Sequence, residues 1–302
     1  MKLPVLRLSI AALPCLAAIA GCSQDLVPTR PGYELVAAWG DSGSADGQFY
    51  FPQGVAVDAD GNVYVVDTAN YRIQKFTSGG AYLTQWGTPG AGDGQFLYVN
   101  DIAVDASGNV YVADAQNGRI QKFTSDGVYL TQWATSRNTS EWNNQGVAVD
   151  AAGHVYVVHN RDHYIQVFTA DGDSIAQWST DAFWSQGMAV DSRGTVYLHD
   201  GTASIIKYTS TGAYLGRWPM RDMNHGGAER VAVDAAGNVF VTDFYAHSIR
   251  KFTGNGRVLA QLSVGDTRWT PDVAVTANGD IYVTDTVHNR ILKFAPTLVM
   301  RS

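Results

Sequence analysis

One phrase recurs six times along the 302 residues. VAVD stands at residues 55–58, IAVD at 102–105, VAVD at 147–150, MAVD at 188–191, VAVD at 231–234 and VAVT at 273–276. The spacings are 47, 45, 41, 43 and 42 residues. Six copies at that period exclude an ordinary mixed domain, because each copy is one supersecondary unit that cannot bury its faces alone. A unit of this length fits a four-stranded propeller blade.

Each unit reads as four strands. In the first, GVAVD is followed by the turn ADGN, then VYVV, a polar loop, RIQKF, a glycine turn and AYLTQW. The runs are short, rich in β-branched and aromatic residues, and bounded by Gly, Asn and Asp. Helical periodicity holds nowhere over a useful length. Ala56, Ala103, Ala148, Ala189, Ala232 and Ala274 sit at the centres of the first strands. A small side chain there suits the thin inner end of a wedge. Bulk falls on the fourth strands, at Trp86, Trp133, Trp178, Trp218 and Leu262.

The sixth unit has no fourth strand of its own. After RILKF at 290–294 the sequence ends within eight residues, while YELVAAW at 33–39 closes like GAYLTQW at 80–86. The N-terminal strand is therefore expected to complete the last blade and remove an exposed sheet edge. The expected fold is all-β: a six-bladed β-propeller of four-stranded blades, sealed by the N-terminal strand. Residues 46–76, DGQF…PQGVAVDADGNVYVVDTANYRIQKF, resemble the NHL repeat family almost position for position. That resemblance runs over roughly residues 33–294 and implies the same architecture, but no particular activity.

The N-terminus reads differently. Lys2 and Arg7 precede an apolar run at 8–20, too short to span a bilayer as a helix, and the pattern is that of a signal peptide. IAGC at 19–22 resembles the bacterial lipobox, which implies cleavage before Cys22 and lipidation of that residue. The expected division is residues 1–21 as signal peptide, 22–32 as lipidated Cys and tether, and 33–302 as propeller. Ser23 after the Cys resembles an outer-membrane address, so the expected place is the bacterial cell envelope, lipid-anchored. Cleavage removes two basic residues and moves the formal charge from −7 to −9. With Cys15 also gone, Cys22 has no partner for an internal disulfide.

Asp58, Asp105, Asp150, Asp191 and Asp234 end five first strands. They read as turn residues bonding their own backbone, since one per blade cannot converge on a metal. Asp67 with Arg72, Asp114 with Arg119 and Asp285 with Arg290 flank the loop between second and third strands and read as loop-stabilising pairs. Units three to five depart from that pattern. They bring His159, His163 and Tyr164, then His199, then Phe244, Tyr245 and His247. Joining loops on the same face add Trp142, Phe183, Trp184, Arg221, Met223 and His225. Aromatic residues and Arg are enriched in binding hot spots, and loops carry function freely. The expected recognition patch is His159, His163, Tyr164, Trp184, His199, Phe244, Tyr245 and His247, with drift in tolerant loops as the competing account.

The pore mouth is the second candidate. Gln53, Asn100, Asp101, Gln145, Gln186, Glu229, Arg230 and Asp272 should ring the axis, a polar set expected to be solvated and containing no His. NHL-like peptidylamidoglycolate lyases hold zinc through histidines near the axis, and the seven histidines here fall elsewhere. Lactonase-like propellers hold a divalent cation in the pore. Asp101, Glu229 and Asp272 would suit Ca²⁺, although Arg230 would oppose it. The net acidity and the lack of a Lys/Arg cluster argue against nucleic acid. The leading expectation is a monomeric, non-catalytic module without a cofactor. It would bind a protein, peptide or glycan and reach the membrane through its anchor. The alternative is a metal-dependent hydrolase or lyase, lactonase-like or peptidylamidoglycolate-lyase-like, working at the pore.

Overall fold

The computed structural model describes residues 29–135, 145–160, 162–182, 185, 187–202, 204–220, 228–243, 245–267 and 272–299. They form six four-stranded antiparallel sheets and a short two-stranded one. The first sheet runs outward through Pro52–Val57, Val63–Asp67, Arg72–Phe76 and Tyr82–Trp86. Four more repeat the plan, with innermost strands Val99–Val104, Gln145–Val149, Met188–Val190 and Ala228–Val233. Each innermost strand packs against those of its two neighbours, and that of the sixth sheet, Val273–Val275, meets that of the first. The sheets are thus the blades of a closed ring.

Closure is made by the two ends of the chain. Thr29–Trp39 pairs antiparallel with Arg290–Val299 as the outermost strand of the sixth blade, in the order the sequence predicts. Both strands are longer than their counterparts in the other blades, with Thr29 opposite Val299 and Trp39 opposite Ile291. Trp39 then packs on Tyr282 of its own blade and Phe76 of the first, at ring-centroid distances of 6.1 and 6.0 Å.

The hydrophobic core is divided among the seams between blades. Ala56, Tyr64, Val66 and Ile73 of the first blade meet Val99, Ile102, Val112 and Phe123 of the second, and each of the five other seams has its own cluster of the same kind. Five of the central alanines are buried and Ala232 is partly buried, as the thin wedge requires. Each Val, Ile or Phe fully buried in a seam contributes about 1.5–3 kcal/mol. No blade keeps that contribution without its neighbours. Among the described residues the only helical turns are Thr68–Asn70 and Ala115–Asn117, and no helix is long and apolar enough to cross a membrane.

The turn aspartates behave as the sequence predicts. Asp58 accepts the backbone N–H groups of Asp60 and Asn62 at 3.0 and 2.8 Å, and the Tyr64 hydroxyl at 2.9 Å. The same set recurs at Asp105, Asp150 and Asp191. These turns lie on one face of the disc. The loops between second and third strands, and the starts of the innermost strands, lie on the other, called here the loop face.

Candidate functional site

Blade one shows the plain form of the loop face. Asp67 is wholly buried. It accepts the Tyr50 N–H at 2.7 Å and side-chain donors from Arg72, Asn70 and Gln74 at 2.7, 2.9 and 3.1 Å. Arg72 spends its remaining donors on the carbonyls of Ser44, Ala45 and Gln48 and on the Gln85 side-chain oxygen. Burial still holds the Asp67 carboxyl above the ordinary carboxylate range, despite these bonds. Asp114–Arg119 and Asp285–Arg290 repeat the pair at 2.8 Å. In blades one and two these are structural groups whose donors are spent on the loop, while the Arg290 side chain is 42% exposed and bonds Asp285 through Nε.

Register shows what changes in blades three to five. Asp67 pairs with Arg72, and the equivalent positions in blade three are His159 and Tyr164. In blade four, His199 pairs with Ile205 as Val66 pairs with Ile73, so His199 replaces an apolar core residue. Asp200 keeps the carboxylate position, accepting the N–H groups of Thr202 and Ser204. Blade five keeps Asp243, which pairs with Arg250 at 3.8 Å. Only blade three loses the carboxylate, and the sequence expectation that three blades discard the stabilising set is corrected to that extent.

The expected recognition patch is also redrawn. His159 and His199 are 0% and 1% exposed, so neither is a contact residue on the surface. His163 and His247 occupy the left-handed position of the loop, with φ of 53° and 46°, where other blades place Tyr71, Gly118 and Asn289. Their carbonyls accept the N–H groups of Thr180 and Val264, as that of Gly118 accepts Thr135. These two sites first serve to hinge the loop. Tyr245 is 60% exposed and lies on the surface of the loop face. Trp184 and Phe244 lie outside the described residues, as do Trp142, Phe183, Arg221, Met223 and His225.

The buried histidines have an unusual setting. His159 stacks on Tyr164 with ring centroids 4.1 Å apart and planes 19° from parallel. Neither of its ring nitrogens has a partner at good hydrogen-bond geometry, although the Gln166 side chain lies close enough to favour its charged form, and His199 Nε2 has no partner, while His199 Nδ1 accepts the Gly201 N–H at 3.2 Å. Burial pushes both imidazoles down to about 4, against the opposing charges of Asp162 and Asp200. Both are therefore neutral at physiological pH. The next residue after His159, Asn160, is also buried with its amide unpartnered. Sequence reading missed Asn160. Only the register exposes it.

The pore is built otherwise than expected. Gln53, Asn100, Asp101, Arg230 and Asp272 are buried, not solvated. Gln53 donates to the Tyr98 hydroxyl at 3.2 Å. Arg230, from blade five, reaches the opposite blade, donating to the Asn100 carbonyl at 3.0 Å and lying 3.3 Å from Asp101. Its Nε lies 3.9 Å from Asp272 in blade six. Each carboxylate also accepts a backbone N–H from the following blade: Val147 to Asp101 at 2.9 Å and Val55 to Asp272 at 2.8 Å. Burial pushes Asp101 up to about 7, with Arg230 pulling down and Asp272 pushing up, and burial raises Asp272 as well. An axial cavity of about 70 Å³ borders these three side chains, room for water but not for a sugar or peptide. Side chains of Gln145 and Glu229, and all of Gln186, lie outside the described set.

As bonded here, the oxygens at the axis do not suit the cation that the lactonase-like reading implies. Asp101 and Asp272 are already engaged by Arg230 and backbone donors. Among the described residues no three His, Cys, Asp or Glu side chains come together to hold a metal. A divalent ion does not fit there while Arg230 is in place.

The NHL repeat family model matches residues 49–76, 96–123 and 272–294. These are blades one, two and six, the ones that keep the full Asp–Arg set. Over those three blades the chain is similar to NHL repeats, and the fold is a six-bladed propeller. No curated protein matches the sequence. Solved structures of the same fold include a streptogramin B lyase at 13% identity and TM-score 0.63, covering 89% of this chain and 98% of that one. A gluconolactonase from Xanthomonas campestris aligns at 15% identity and TM-score 0.63, over 83% and 88% of the two chains. A catalytically inactive histidine-to-alanine variant of virginiamycin B lyase from Staphylococcus aureus, with quinupristin, aligns at 13% identity and TM-score 0.60, over 89% and 97%.

Proposed function

We propose that this propeller is a hydrolase or lyase acting on a small molecule at the loop face of blades three and four. The observation that carries the reading is the pair of buried, neutral, underbonded imidazoles, His159 and His199. Leaving a buried polar atom unbonded costs about 1–3 kcal/mol. The other blades fill these two positions with Asp or with Val, Ala and Thr, and of those only Asp243 keeps a buried atom without a hydrogen bond, offset by Arg250 at 3.8 Å. A neutral imidazole is a base ready to take a proton from a reacting group. Three solved propellers of this architecture are lyases or a lactonase, and one loses catalysis with a histidine, which supports the same direction. Both histidines are covered in this state, so turnover includes opening of the loop face.

The test is incubation of the purified protein with sugar lactones and cyclic depsipeptides, followed by mass spectrometry. Hydrolysis adds one water to the opened ring and elimination leaves the mass unchanged. His159→Ala or His199→Ala should lower the rate by about 10²–10⁴. Turnover unaffected by both changes removes the histidines from the mechanism. Absence of ring opening across both classes favours the second reading, a non-catalytic module for a protein, peptide or glycan, which the 60% exposed Tyr245 supports. Under either reading a lipid on Cys22 would tether the disc through the polar stretch at 23–31, and Cys22→Ser should release it from membranes.

A further inference from the structure

We propose that the Arg230 guanidinium is a built-in cation at the axis, standing where a lactonase-like propeller would hold a divalent metal, so that this pore needs no metal ion. The six innermost strands present one equivalent position each to the axis: Gly54, Asp101, Gly146, Gly187, Arg230 and Asp272, each directly before the repeated apolar triplet. Three are glycines and leave the wall bare. At Gly54 a Cβ would lie 2.9 Å from the Val66 Cγ2 and 3.2 Å from the Asp101 Cα, so both would have to give way to a side chain. The other three positions hold two carboxylates and one guanidinium.

The groups around Arg230 are hard oxygen donors of the kind Ca²⁺ takes: the Asn100 carbonyl, the Asp101 carboxylate and the Asp272 carboxylate. They come from two blades, and Arg230 from a third, so one side chain ties blades two, five and six across the ring. Arg suits this place because its planar fork serves several oxygens at once and stays charged when buried. Its single charge offsets only one of the two carboxylates. That imbalance agrees with the upward push on Asp101.

The inference is independent of the enzyme reading and is read through stability. For the purified full-length protein, the melting temperature should be the same in EDTA, in millimolar Ca²⁺ and in millimolar Mg²⁺. Arg230→Ala should lower it by about 10 °C. Ca²⁺ or methylguanidinium should restore part of that loss in the variant, and adding Asp101→Asn with Asp272→Asn should abolish the response to Ca²⁺. A wild-type melting temperature that falls on chelation, or a stoichiometric cation lost with Asp272→Asn, overturns the proposal. So does an Arg230→Ala protein indifferent to both additives. Should that variant not fold, the wild-type chelation series and Arg230→Lys decide, the latter expected to melt independently of EDTA.

Discussion

The indole of Trp86, at the end of blade one, covers Gly127 in the outer turn of blade two so closely that a Cβ on the glycine would lie 2.5 Å from the ring. Trp39, Trp133, Trp178 and Trp218 make the same approach to Gly80, Gly172, Gly212 and Gly256. Gly61 has the same φ of +83°, yet its nearest neighbour would be 3.5 Å from a Cβ. The two positions separate backbone strain from seam packing. Gly61→Ala should cost about 1–2 kcal/mol, the left-handed penalty alone. Gly127→Ala should cost several kcal/mol, because the turn and the indole must part. Urea unfolding of both variants checks this, and equal losses would show that the indole is not pinning the blades.

Asp67 is expected to be far more sensitive than the turn aspartates. Asp67→Ala leaves Arg72 buried without its carboxylate, a loss of about 3–5 kcal/mol. Asp58→Ala gives up turn hydrogen bonds to neutral partners and should cost about 1 kcal/mol. Thermal denaturation of the two variants side by side distinguishes them.

Two sets of buried groups should pull the pH dependence in opposite directions. His159 and His199 fall to about 4 in the folded chain from an ordinary 6.5. Between those values the unfolded chain binds more protons, so their contribution rises with pH and is lost as pH falls through that window. Asp101 rises to about 7 from 3.8, so the folded chain binds the extra proton. That contribution is present below about 4 and is lost as pH rises through 7. Replacing His159 by Leu and His199 by Val should leave a stability that declines from pH 4 to 7. Asp101→Asn should leave one that climbs. Urea midpoints measured across that range give the two slopes, and slopes of the opposite sign would refute the burial argument.

The repeat made much of this molecule readable in advance. The alanines of the inner strands could be read because a wedge leaves room for little else. The sealing strand could be read because the sixth unit visibly lacks one. The contact of Arg230 with Asn100 could not, since it joins residues 130 apart in sequence across the centre of a ring. The place of His199 was hidden for a smaller reason. A loop one residue shorter lets HD at 199–200 pass for a changed Asp, when Asp200 is the retained carboxylate and His199 has displaced a Val66-like residue. Burial of both histidines likewise depends on neighbours that periodicity does not reveal.

Removing residues 29–39 should be more damaging than removing an equal length of ordinary tail. It exposes Arg290–Val299 as a bare edge and uncovers Phe76 and Tyr282. The truncated chain should lose cooperative melting or associate through the open edge, as size-exclusion chromatography with light scattering would show. A monomer with unchanged melting would mean the ring holds without its seal.

Because Thr29 faces Val299 while Trp39 faces Ile291, the outer ends of the two sealing strands lie side by side. A force applied to the two ends together would peel this ladder open one rung at a time, the mechanically soft geometry. A load borne by the N-terminus alone, as a membrane tether would impose, drags the strand lengthwise across its hydrogen bonds and must strain many of them at once.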